Sequence, residues 1–68
     1  MTFEELEAEH SAVENLPLTE CTGDQLRVKL AYHMWKDGAD WPVVCEMRDK
    51  FLVSRGHVIR ILEERFGL

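Results

Sequence analysis

Cysteine, proline, glycine and tyrosine are all scarce in this 68-residue chain, and its first 24 residues hold no lysine or arginine. Two cysteines, Cys21 and Cys45, are too few for a disulfide framework and are expected as small buried apolar residues. With His10, His33 and His57 they are spaced 11 or 12 residues apart, without the close ligand pair that seeds a zinc site. Neither a metal nor a cofactor is therefore expected. Two prolines beside 46% hydrophobic residues exclude a disordered tail. No apolar run approaches the ~18 residues of a membrane span. The opening MTFEELEAEH is acidic where a secretory signal is basic and then apolar, so a cytoplasmic setting is expected, with a nuclear one as the alternative. There is no glycine-rich phosphate loop and no nucleophile with an evident base, and so short a chain has little room for a substrate pocket. An enzyme is not expected.

What is present is charge, unevenly placed. The formal net charge is −5. Residues 1–24 carry seven acids and no base, leaving −7, whereas the remaining 44 residues hold eight bases against six acids. Between residues 48 and 60, Arg48, Lys50, Arg55 and Arg60 face only Asp49. Such asymmetry marks either a local basic contact face or an acidic one. A chain of 7.9 kDa is one domain, and folding buries only roughly 60% of its surface. Stability must then come from tight helix packing or a second subunit.

Helical periodicity runs through the whole sequence. Thr2 and Glu5 form a capping box, and Phe3, Leu6, His10 and Val13 make a stripe that predicts a helix from about 3 to 14. Leu16-Pro17-Leu18 breaks it. Thr22-Gly23-Asp24 starts a second helix with a buried face of Leu26, Leu30, Ala31, Met34 and Trp35, ending at Lys36-Asp37-Gly38. Asp40 caps a third, with Pro42 in its first turn and Val43, Val44, Met47 and Phe51 on one face, through about Lys50. After a Leu52-Val53 connection, Ser54 caps a fourth, with Val58, Ile61, Leu62 and Phe66 inward and Gly67 closing it. Trp35 and Trp41 are expected to anchor the second helix to the third, and His10 and His33 to sit at the edge of the core. The expected fold is all-α, a single compact four-helix domain: an acidic N-terminal helix and linker over residues 1–18, added to a trihelical core over 22–68.

Residues 46–62 resemble the helix-turn-helix of DNA-binding regulators. The matching positions are Met47 and Phe51 in the first helix of the pair, Val53-Ser54-Arg55 in the turn, and Val58, Arg60 and Leu62 in the second. Arg48 stands where that family usually has a small residue, and Leu52 where glycine is common. The resemblance implies a transcriptional regulator that binds duplex DNA as a homodimer, through the helix starting at Ser54. Ser54, Arg55, Gly56, His57 and Arg60 would then meet bases and phosphates, with Arg48 and Lys50 adding charge.

A second reading keeps the helical scaffold but makes the acidic segment the working surface. The chain is then a protein-interaction module, similar in size and acidity to phage-encoded inhibitors of host machinery and to transcription adaptors, at work in a bacterial or phage-infected cell. Phe3, Glu4, Leu6, Glu7 and Val13 on the first helix would face a second copy or another protein partner.

Overall fold

Thr2 fixes where the first helix begins. Its hydroxyl accepts from the Glu5 amide at 3.2 Å, and the Glu5 carboxylate accepts from the Thr2 amide at 3.2 Å. In the computed structural model, which describes residues 1–50 and 54–68, α1 then spans Phe3–Val13. A 3-10 turn at Leu18–Glu20 follows Pro17, an element the sequence periodicity does not announce. Thr22 and Gln25 repeat the capping box, at 3.2 and 2.8 Å, to start α2 over Gly23–Lys36. Asp40 precedes α3, Trp41–Asp49, and Ser54 accepts from the His57 amide at 3.2 Å to start α4, Arg55–Phe66. Among the described residues there are four α-helices and no strand. The expectations at Phe51, Leu52 and Val53 fall outside the described residues.

Two glycines close helices for one shared reason. Gly38 (φ +93°) and Gly67 (φ +70°) take left-handed backbone after α2 and α4. The Ala39 amide then reaches the Met34 carbonyl at 3.0 Å, and the Leu68 amide the Leu62 carbonyl at 3.2 Å, which satisfies carbonyls that the helix leaves open.

The other three helices pack on α2. Its Val28 and Ala31 meet Leu6 and Val13 of α1 and Val44 of α3 in one cluster. Its Leu26 and Leu30 meet Val58 and Leu62 of α4, together with Cys21, in a second. Leu16 and Met47 touch both. The single stripe expected for α2 is thus too narrow: Val28, hidden between Arg27 and Lys29, is 3% exposed. A helix wrapped on several sides needs more than one apolar row.

Two expectations for α1 are overturned here. Leu6 is fully buried and Val13 nearly so, both within the chain's own core. They are spent on α2 and α3 and do not face a partner. The acidic helix is a structural wall of the domain, consistent with a radius of gyration of 10.7 Å, close to the ~11 Å of a compact chain this long. Lys29 strengthens that attachment. It is 5% exposed, and its ammonium donates to the Glu14 carbonyl at 3.2 Å, at the negative end of α1.

Candidate functional site

The start of α4 is exposed at Ser54, Arg55, Gly56 and His57. Among the described residues, a Cβ added at Gly56 would meet no atom of another element within 4 Å. Arg55, however, turns back onto its own chain. Its Nε donates to the Cys21 carbonyl at 2.9 Å, and its Nη2 to the carbonyls of Thr19 at 2.6 Å and Leu18 at 3.3 Å. The guanidinium expected to face bases instead clamps the 3-10 turn to α4. Arg60 does point outward, 72% exposed at the side chain and 3.6 Å from Glu64 on the same helix. Such a pair contributes little in water.

Arg48 is likewise committed elsewhere, despite its place in the basic cluster. Its guanidinium grips Glu9 of α1 with two bonds, 2.7 and 3.2 Å, and Asp24 of α2 with a third at 2.9 Å. Only 15% of the side chain is exposed. The Glu9 bond, working against burial and helped by both carboxylates, pushes its pKa upward, so it stays charged. Burial alone would raise the Asp24 pKa, but the hydrogen bonds and charges of Arg27 and Arg48 together bring it down. Arg48, expected to add charge to a DNA-facing surface, is here a three-helix staple. Nothing in the local sequence announces it, because Glu9 lies 39 residues away.

Most of the remaining cations are also engaged. Arg27 pairs with Asp24 at 3.1 Å, and Arg65 with Asp37 at 3.4 Å. Lys36 sits 5.6 Å from the Phe3 ring centre and 5.4 Å from that of Tyr32. Lys50, exposed at the end of α3, is the one base with no partner among the described residues. By contrast, Glu4, Glu7, Glu14, Glu20, Asp40 and Glu46 are exposed and pair with no cation among the described residues. Among the described residues, the exposed charge left without an ionic partner is mainly carboxylate.

Aromatic side chains gather in two places. At one end of the bundle Phe3 lies 5.5 Å from Trp35 and 6.5 Å from Trp41, and the two indoles meet edge-on at 5.0 Å. All three rings are half-buried, so the two tryptophans join α2 to α3 as expected, and Phe3 joins them. Along α2, His10 stacks on Tyr32 at 3.7 Å and meets the edge of His33 at 5.6 Å. His33 in turn stacks on Phe66 of α4 at 5.6 Å. Burial pushes both imidazole pKa values down, with the His33 charge adding to this at His10 and Lys29 at both, against an opposing pull from Glu14 on His10. Neutral imidazoles here act as flat spacers between helices.

A shallow cleft of about 440 Å³ runs between α1 and α3, lined by Met1, Glu5, Ala8, Glu9, Arg48 and Asp49. Its strongest polar groups, Arg48 and Glu9, already satisfy each other. Among the described residues no three His, Cys, Asp or Glu side chains converge as metal ligands, and no helix is long and apolar enough to cross a membrane. Cys21 is buried with its thiol 3.4 Å from the Pro17 carbonyl, while Cys45 is half-buried, and both are free thiols. No family model, curated protein or solved structure matches the chain.

Proposed function

We propose that this chain is a small, non-catalytic protein-interaction module that presents an acidic helical surface to a basic partner. The observation that carries this reading is the fate of the cations. Arg48 and Arg55, the two arginines flanking the turn, are hydrogen-bonded within the molecule. The unpartnered charge is mainly carboxylate. A protein that neutralises several phosphates needs several free cations on one face. Of the cations near the turn, Arg60, loosely paired with Glu64, and Lys50 are the two not bonded to another part of the described chain.

The helix-turn-helix reading retains one specific support: the capped, uncovered first turn of α4 with Gly56 open and Arg60 outward. A labelled pool of random-sequence duplexes, titrated at low salt, separates the two. The acidic-module reading expects no saturable complex. A complex that strengthens as salt falls and is lost in Arg60→Ala would overturn it in favour of a DNA reader. Within the acidic segment, Glu4 and Glu7 are the informative reversals. Glu5 and Glu9 are not, because one caps α1 and the other holds Arg48.

A further inference from the structure

We propose that the aromatic end of the bundle, where Phe3, Trp35 and Trp41 meet beside Glu4, Glu7 and Asp40, docks an arginine-bearing amphipathic segment of the partner. This rests on reading the chain as an acidic interaction module, and adds where the partner sits and what chemistry it brings.

Three helix ends build the surface. Phe3 opens α1, Trp35 lies in the last turn of α2, and Trp41 opens α3. The rings lie within 5.0–6.5 Å of one another, yet each remains partly exposed. Large aromatics clustered near the surface are what interface anchors are made of.

The rim selects the occupant. Asp40 stands at the N-cap of α3, where a carboxylate ordinarily accepts an amide of the first turn, yet it makes no such bond. Pro42 removes one of the amides it would use. Glu4 and Glu7 flank Phe3 on α1, Glu7 one turn along and hence on its side of the helix. A second copy of this chain would set these carboxylates against themselves, and both copies carry −5. A basic segment satisfies them. Arginine suits the site better than lysine, because its planar guanidinium can lie on an indole and still donate to a carboxylate. One ring of the cluster already holds a cation of the chain itself, Lys36 at 5.6 Å from the Phe3 ring centre, which leaves the two indoles to the incoming arginine.

Both tryptophans of the chain lie in this surface, so intrinsic fluorescence reports its occupancy directly. The probe is a synthetic peptide with arginine and leucine at helical spacing, and its control carries glutamate for arginine. The arginine peptide should shift tryptophan emission saturably, and the control should not. Glu4→Lys with Asp40→Lys should weaken binding about tenfold, from two lost and inverted charge contacts. Glu14→Lys with Glu20→Lys, away from the aromatic end, should leave it unchanged. Circular dichroism verifies helicity, and Asp40→Asn, which removes charge without reversal, serves if the double reversal fails to fold. Loss confined to the Glu14 and Glu20 pair, or calorimetric binding without an emission change, overturns this docking site while sparing the acidic-module reading. No binding of the arginine peptide by either measurement overturns both.

Discussion

Removing the Arg55 guanidinium should destabilise the domain, which a free DNA-facing arginine would not do. Three donor contacts join it to the carbonyls of Leu18, Thr19 and Cys21, at 3.3, 2.6 and 2.9 Å. A hydrogen bond from a charged donor contributes about 1.5–3 kcal/mol when well buried. Arg55 is exposed and one contact is long, so the set is discounted to about 1–2 kcal/mol for Arg55→Ala. Global stability for a chain of this length is about 3–10 kcal/mol, so the loss is a sizeable fraction. It corresponds to a fall in Tm of about 4–16 °C. Urea unfolding followed by far-UV circular dichroism measures it directly, at equal denaturant slope. Arg55→Lys should recover less than half, since a single ammonium cannot reproduce the planar fork across three carbonyls. A variant within about 0.5 kcal/mol of wild type, the range of an ordinary surface change, would refute the clamp.

Two further outcomes follow from the charged and aromatic contacts. Arg48→Met keeps the stem but releases Glu9 and Asp24, whose side chains are 39% and 57% exposed and can rehydrate. The expected loss is about 1–2 kcal/mol, with a coupling near 1 kcal/mol in a double-mutant cycle with Glu9→Gln; additivity of the two changes would contradict the staple. The pH dependence is set by His10 and His33, whose pKa values lie below the ordinary 6.5 in the folded chain. The unfolded chain therefore binds more protons below pH 6.5, and stability, full above that value, declines as pH falls toward the folded pKa values. Urea midpoints across this window should drop, and drop less in His10→Phe. A midpoint that stays flat or rises on acidification contradicts neutral, stacked imidazoles. Asp24 contributes separately: its depressed pKa gives stability above the ordinary 3.8 that is lost only in stronger acid.

Local signals decided most of the architecture. The capping boxes at Thr2 and Thr22, the Ser54 cap, Pro17 as a breaker and glycine at 38 and 67 act within a few residues of themselves. Each can therefore be read without knowing the fold. Leu26, Leu30, Val44, Val58 and Leu62 reveal their burial by spacing alone. Side-chain destinations are another matter. Whether Leu6 meets α2 or a second protein depends on how α1 docks, and periodicity is the same for both. Arg48 and Arg55 look alike in a basic cluster, but partners 24 to 39 residues away decide that both are internal fasteners. Phe3, Trp35 and Trp41 become one surface only when three helix ends converge. Helix starts and stops depend on neighbouring backbone amides and so belong to the sequence, whereas charge pairing and aromatic clustering depend on long-range packing and belong to the tertiary structure.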